Sequence, residues 1–173
     1  MIKQLLSLYE IIEENKGKFE AFALNGNFFI DVYRTQPFHP ELYEYFSLPA
    51  IFVDYEMTGQ GRNQERTVRL TLHIVVDELP DASNIAEQRE AGLQRFNYCL
   101  LLQSILEGCR LDKTSRLKFI SENAVDEQVV NYHTQTYEFE AFLQDMLSND
   151  AERIFGIFEQ LNIYGSLVKT LPK

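Results

Sequence analysis

The chain has 173 residues, which fits one domain of ordinary size with a core large enough to fold without disulfides. Apolar residues make up 45%, which excludes a disordered composition. The formal net charge is −10, from 26 acidic and 16 basic residues, and this argues against nonspecific binding of DNA or anionic membranes, because both require clustered Lys and Arg. We therefore expect a single domain over residues 1–173, with no signal peptide and no membrane partner.

The first 50 residues predict a helix, a short strand and an irregular connection. Apolar residues recur at helical spacing over residues 2–15, and Gly17 follows as a stop signal. They are Ile2, Leu5, Leu6, Tyr9 and Ile12. The Asn25-Gly26 turn signal precedes a strand over residues 28–33. Three prolines within 13 residues then predict an irregular segment over residues 36–50.

Residues 50–78 predict an unusually long β-hairpin around the polar loop "TGQGRNQ". Its first strand alternates between Ile51, Val53, Tyr55 and Met57 on one face and Phe52, Asp54 and Glu56 on the other. Its second strand alternates between Val68, Leu70, Leu72, Ile74 and Val76 and the set Thr67, Arg69, Thr71 and His73. Residues 65–78 would span roughly 45 Å at about 3.3 Å per residue, whereas ordinary strands have about 5–6 residues. The excess length requires an explanation.

Residues 84–143 predict a long helix followed by two strands. The helix begins at a capping box of Asn84 and Glu87 and continues to about Glu107. Its expected buried stripe is Ile85, Leu93, Phe96, Leu100 and Ile105. The strands are expected over residues 116–122 and 129–143. The second places Tyr137, Phe139, Ala141 and Leu143 on one face and Tyr132, Thr134, Thr136, Glu138 and Glu140 on a wetter face. A last helix is expected from about Asp150 to Leu161.

Together these elements predict an α+β fold with a single antiparallel or mixed sheet of four to five strands and a long β-hairpin. We expect the N-terminal helix and the helix over residues 84–107 to pack on one face of the sheet. Leu70, Leu72 and Ile74 should then lie under Phe96 and Leu100.

Motifs of catalysis or ligand binding are absent from the sequence. His73 and His133 fall in strands and could hold a metal across a sheet, but no Cys or His repeat with ligand spacing accompanies them. The G-x-G in the hairpin loop joins two strands and lacks the helix N-terminus that binds phosphate. Cys99 and Cys109 lie about 15 Å apart along the predicted helix, too far for a disulfide, so we expect reduced thiols in a cytosolic setting. We expect no catalytic, cofactor-binding or metal-binding residue, no cofactor and no enzyme activity.

The order of elements resembles the tail-terminator, or tail-completion, proteins of long-tailed bacteriophages and prophages, particularly the prophage versions from Bacteroides-type bacteria. The similar segments are "LPAIFV" at 48–53, "LHIVVD" at 72–77 and "LLLQSILEGC" at 100–109. The resemblance covers about residues 1–143, and the C-terminal helix and tail at 144–173 lie outside it.

The resemblance implies a structural virion component that forms a ring, usually six-fold, on the head-proximal end of the tail tube. The implied partners are further copies of the chain, the tail-tube protein and the head connector protein, with DNA passing through without specific binding. The implied location is the bacterial host cytoplasm during assembly and the virion afterwards.

A ring explains the long hairpin, because a closed ring needs two different patches on each subunit and an uncovered hairpin supplies one. We predict that subunit or partner contacts involve the charged residues Asp54, Glu56, Arg62, Arg66 and Arg69. The alternatives are a head–tail joining or tube-related protein on the same fold, and a bacterial ligand-binding or adaptor domain. A pocket lined by His73, His133 and Tyr137 would favour the ligand-binding alternative.

Overall fold

One mixed sheet of five strands organises the molecule. The computed structural model describes residues 1–39, 46–59, 61, 64–77, 80, 82–125 and 131–147. The strands are β1 (Phe29–Val32), β2 (Ala50–Thr58), β3 (Glu65–Val76), β4 (Lys118–Val125) and β5 (Asn131–Phe142), and their order across the sheet is β1-β2-β3-β5-β4. β1 pairs with β2 in parallel, and the other pairs are antiparallel. The predicted α+β class with a single sheet of four to five strands is confirmed.

Five helices lie in the described part of the chain: α1 (Ile2–Glu14), α2 (Lys16–Glu20), α3 (Arg89–Gly92), α4 (Gln94–Leu106) and α5 (Leu143–Met146). The helix expected from Asn84 begins only at Arg89, and the predicted capping box does not form there. Gly92 packs so closely on the preceding connection that a Cβ atom would collide with the Pro80 carbonyl oxygen. This close approach needs glycine, which favours a break in the helix at that point. None of the helices in the described ranges combines the length and apolarity needed to cross a membrane.

The main core lies between the helices and one face of the sheet, called here the helix face. The alternation predicted for β3 is confirmed, since Val68, Leu70, Leu72, Ile74 and Val76 are all buried in this core. α1 contributes Leu8 and Ile12, and α4 contributes Leu102 and Leu106. β5 contributes Tyr137, Phe139 and Ala141 as predicted, whereas Leu143 belongs to α5 and is exposed.

The stripe predicted for α4 is wrong, except at Ile105. Leu93, Phe96 and Leu100 are exposed, and Ile85 lies before the helix with 87% of its surface accessible. The buried side of α4 instead carries Tyr98, Cys99, Leu102, Ile105 and Leu106. Apolar residues occur nearly all around this helix, so two stripes satisfy the same 3.6-residue period and periodicity alone does not choose between them. The expected packing of the β3 core under Phe96 and Leu100 is therefore wrong as well.

The opposite face of the sheet, called here the back face, carries a second and smaller core at one end. Its buried members are Ala50, Phe52, Val75 and Tyr132, covered by Phe29, Tyr33, Phe46 and Leu48. Tyr132 was expected on a wetter face, but it is buried under this cover. The helix predicted from Asp150 to Leu161 lies outside the described residues.

Candidate functional site

The two halves of β2 have different neighbours. Ala50–Val53 lies between β1 on one side and β3 on the other. β1 ends at Val32, so the outer half of β2, from Asp54 to Thr58, pairs with β3 alone in the described part of the chain. We call residues 54–58 the open edge. An unpaired strand edge presents backbone donors and acceptors to any chain that can add a strand.

Backbone direction along the open edge follows from the last contact with the β1 segment. The Tyr33 N–H donates to the Val53 carbonyl at 2.9 Å, so the backbone N–H and C=O groups of Val53 point away from β3. Because this direction alternates along an antiparallel strand, the backbone groups of Tyr55 and Met57 also point outward. The Tyr55 N–H donates to the Asp54 carboxylate at 2.8 Å, which occupies that donor locally. The Tyr55 side chain is 47% exposed beside it.

The open edge belongs to β2 and does not extend to the whole hairpin. We expected the outer portion of the hairpin to be poorly buried and to expose backbone edges. β3 differs from β2 in this respect, because β5 pairs with residues 65–76 and β2 with residues 67–75, and Val68 is completely buried on the helix face. In β2, by contrast, Asp54, Tyr55 and Glu56 are exposed. The uncovered surface is therefore one strand edge together with the back face beside it.

Three of the five predicted contact residues share that back face. Asp54 and Glu56 alternate with the helix-face positions of β2, and Arg69 lies directly opposite Glu56 in β3. Arg69 also pairs with Glu138 of β5, with 3.3 Å between its Nε and a carboxylate oxygen. Arg69 thus lies between two acids on neighbouring strands, which holds the register of these strands electrostatically.

The other two predicted contact residues do not join this group. Arg66 is three positions from Arg69 on the same strand, so the two side chains point to opposite faces of the sheet. Arg66 therefore points to the helix face, as Val68 does. There its side chain packs over Gly59, where a Cβ atom would collide with it. Arg62 lies outside the described residues. Contacts between subunits at any of the five positions remain a prediction.

The two strand histidines lie on opposite faces of the sheet. β3 and β5 pair so that Thr134 is opposite His73 and Ile74 is opposite His133. His133 therefore faces α4 together with Tyr137, whereas His73 faces the back. A metal held by His73 and His133 across the sheet is excluded, and so is a pocket lined by both of them with Tyr137.

His73 closes the inner end of the back face. Its ring stacks on Tyr33 with 3.8 Å between the ring centroids, and its Nδ1 hydrogen-bonds the Tyr132 hydroxyl group. Burial lowers the pKa of His73, and the negative charge of Asp54 opposes this shift. The neutral ring is therefore part of the small core, next to the first exposed acid of the open edge.

Sequence reasoning missed a cluster of three side chains under α4 whose chemistry could hold a metal ion. Cys99, Glu122 and His133 come from α4, β4 and β5, and one ligating atom of each lies within 4.8 Å of the other two. Burial raises the pKa of the Cys99 thiol to about 12, and the neighbouring Glu122 carboxylate acts in the same direction. The available signal was the alternation of β5, which places His133 on the same face as Tyr137.

A scan against models of protein families finds no match for this chain, and a search of curated proteins finds none either. The functional interpretation therefore depends on the similar segments named above and on the geometry of the sheet.

Proposed function

We propose that this protein is a structural component of a phage or prophage tail, a tail terminator that forms a ring on the end of the tail tube. The observation that carries the proposal is the open edge of β2, residues 54–58, with uncovered charged residues beside it. The similar segments at 48–53, 72–77 and 100–109 point to the same class of protein.

A ring of identical subunits needs contacts between two different patches, because identical patches would close a dimer. The sheet offers two different edges on opposite sides. One is the open edge of β2, and the other is β4, which has β5 as its sole strand neighbour among the described strands. A head-to-tail contact between these edges continues the sheet from one subunit to the next, and closure of that arrangement makes a ring.

The charges of the back face favour a specific contact over a merely adhesive one. Arg69 is 58% exposed even with Glu138 beside it, so its remaining donors are available to a carboxylate of another subunit. Glu56 lies on the other side of Arg69 and offers an acceptor. An exposed ion pair contributes little to the stability of a single subunit, whereas complementary charges direct association and exclude wrong partners.

The net charge of −10 also supports this role. DNA must pass through the ring without being retained, and an acidic surface avoids the salt-dependent binding that clustered Lys and Arg would produce. In this proposal the ring contacts the tail tube on one side and the head connector on the other. Assembly takes place in the bacterial host cytoplasm, and the ring remains in the virion.

The test is the solution mass of the full chain, measured by light scattering at rising concentration, alone and with a phage tail-tube protein. We expect a ring of several subunits, formed either alone or on the tube protein. A chain that stays monomeric under both conditions would contradict the proposal. A dimer of fixed mass would instead favour an adaptor that associates through the same edge.

A further inference from the structure

The cluster of Cys99, Glu122 and His133 lies on the opposite face of the sheet from the charged residues of the open edge. Its three residues come from α4, β4 and β5 and are separated along the chain by 23 and 11 positions (122 minus 99, and 133 minus 122). Their ligating atoms all lie within 4.8 Å of one another, and 3.6 Å separates His133 Nδ1 from a Glu122 carboxylate oxygen. The proposed ring contact uses the backbone edge of β4 but none of these three side chains.

A buried nitrogen without a hydrogen-bond partner among the described residues points into this cluster. His133 retains only 7% of its surface accessible, and its Nδ1 forms no hydrogen bond within the described part of the chain. A Glu122 carboxylate oxygen lies 3.6 Å from this nitrogen, just beyond hydrogen-bonding distance. A buried polar atom left unsatisfied costs free energy, so such atoms are rare in folded proteins and call for an explanation. A bound metal ion would supply the missing partner.

A β-bulge directs Glu122 into the cluster. The pairing of β4 with β5 shifts between Phe119 and Ser121, which leaves Ile120 as an extra residue. Phe119 stands opposite Tyr137 and Glu122 stands opposite Gln135, so both lie on the helix face although they are three positions apart. In a regular strand, residues three apart point to opposite faces. The bulge therefore brings the carboxylate to the Cys99 and His133 side, as bulges elsewhere re-aim functional side chains.

A buried amide holds the carboxylate in place. Gln135 is fully buried, and its Nε2 donates to Glu122 at 2.8 Å and to the Cys99 carbonyl at 2.7 Å. The Tyr137 hydroxyl group donates to Gln135 Oε1 at 2.8 Å, which orients the amide. Hydrogen bonds of this kind around metal ligands fix their direction and strengthen binding.

We propose that Cys99, Glu122 and His133 bind a divalent transition metal ion of the zinc class. Sulfur, imidazole nitrogen and carboxylate oxygen together suit Zn²⁺, whereas Mg²⁺ and Ca²⁺ prefer oxygen ligands alone. The thiolate and the carboxylate neutralise the two positive charges of the ion, and the thiol proton passes to solvent on binding. Glu122 is 27% exposed, which leaves an entry path and a fourth position for water.

The bound ion links the helix layer to β4 and β5, the last two strands at one side of the sheet. Ligands about 2.0–2.3 Å from a tetrahedral zinc ion lie roughly 3.3–3.8 Å apart, so small side-chain rotations close the present cluster around an ion. One ion would then join α4 to β4 and β5. The site is structural in this proposal, because it anchors the helix whose outer face carries the exposed residues Leu93, Phe96 and Leu100.

Cobalt titration of the reduced, metal-free full chain tests the proposal. We expect a sulfur-to-cobalt charge-transfer band and the visible bands of tetrahedral Co²⁺, both saturating at one ion per chain and both displaced by added Zn²⁺. Cys99→Ser should abolish the charge-transfer band, and His133→Gln should weaken binding by at least about tenfold. A folded chain that shows no cobalt–thiolate band would overturn the proposal.

Cys109 provides the matched control. It is the other cysteine of the chain, it lies outside the cluster, and its thiol donates to the Ile105 carbonyl at 2.8 Å. Cys109→Ser should leave the cobalt bands unchanged, and bands that require Cys109 in place of Cys99 would overturn the assignment. Thermal unfolding gives a second readout: Zn²⁺ should raise the midpoint of the wild type and of Cys109→Ser, but not that of Cys99→Ser. Equal Zn²⁺ stabilisation of all three chains would also contradict it.

Discussion

The two ends of the long hairpin are built from the same two strands, yet the rest of the molecule covers them unequally. At the inner end, β1 closes the edge of β2, and an aromatic cover that includes Phe46 buries Phe52 on the back face. At the outer end, β2 has lost its β1 neighbour, and its back face shows Asp54 and Glu56. On β3, by contrast, the helix face is buried at both ends.

The difference shows that strand length and strand cover are separate properties of this hairpin. Regular alternation continues through both halves, so the helix-face core is continuous from Ile74 to Val68. The back face and the edge depend on other segments, and those segments stop halfway along β2. The hairpin is therefore a core element that also presents a strand edge unpaired among the described residues.

Truncation on the back face should separate the two ends most clearly. Phe52→Ala removes a fully buried ring at the inner end and should lower the free energy of unfolding by about 3–5 kcal/mol. Glu56→Ala, on the same face of the same strand, should change it by no more than about 0.5 kcal/mol. Urea unfolding at a protein concentration that keeps the chain monomeric measures both values. Similar losses for the two variants would mean that the outer end is covered too.

The helix face should show no such difference. Leu72→Ala, near the middle of β3, should lower the free energy of unfolding by about 2–5 kcal/mol, because the side chain is fully buried. Leu70→Ala, one position nearer the open edge on the same face, should fall in the same range. A loss below about 1 kcal/mol at either position in chemical denaturation would show that the assigned core face is wrong.

The boundary between the two ends should respond to pH. Burial lowers the pKa of His73 from its ordinary value of 6.5, so below that pH the unfolded chain takes up a proton that the folded chain does not. The stability that the neutral His73 ring contributes is therefore fully present above pH 6.5. It is lost as the pH falls toward the lowered pKa of the folded state. His73→Phe keeps a ring on Tyr33, and its stability should fall less than that of the wild type between about pH 7.5 and about pH 5.5. Equal losses of stability would show that protonation of His73 does not contribute to the pH dependence of folding.

The smallest effect is expected at the exposed ion pair. A double-mutant cycle of Arg69→Ala and Glu138→Ala should give a coupling energy of only about 0.2–1 kcal/mol in the monomer, because Arg69 is largely exposed. The same cycle measured on assembled rings should give a larger value if a neighbouring subunit shields the pair. Equal coupling in both states would remove Arg69 from the proposed contact.

Strand alternation could be predicted from the sequence because it follows a period of two and because one face of each strand is clearly apolar. This identified β2, β3 and β5 and the buried face of β3 correctly. The orientation of α4 could not be predicted, since its sequence is apolar on nearly every side and the choice between stripes is made by packing against the sheet. The break between α3 and α4 follows the close approach of Pro80 to Gly92, a contact between segments that local signals do not encode.

The cluster of Cys99, Glu122 and His133 depends on three structural features, and local sequence signals do not determine all of them. It requires the correct stripe of α4, the phase of β5 and the bulge at Ile120 that reverses the face of Glu122. Because the spacing of these three residues matches no local motif, the sequence does not predict a metal site there. The open edge was equally hidden, because it results from where β1 ends and not from the composition of β2.

The central claim is that the open edge of β2 is an assembly surface, and a pair of variants at Tyr55 tests it most directly. Tyr55→Pro removes an outward N–H that takes no part in pairing with β3 and that an added strand would take over from the Asp54 carboxylate, whereas Tyr55→Thr keeps that N–H and suits a strand equally well. The measurement is the length of tail tubes, polymerised from tube protein in the presence of each folded variant and scored by electron microscopy. The account predicts short, capped tubes with the wild type and Tyr55→Thr, and uncapped tubes with Tyr55→Pro. Capping by Tyr55→Pro at the wild-type level would contradict it.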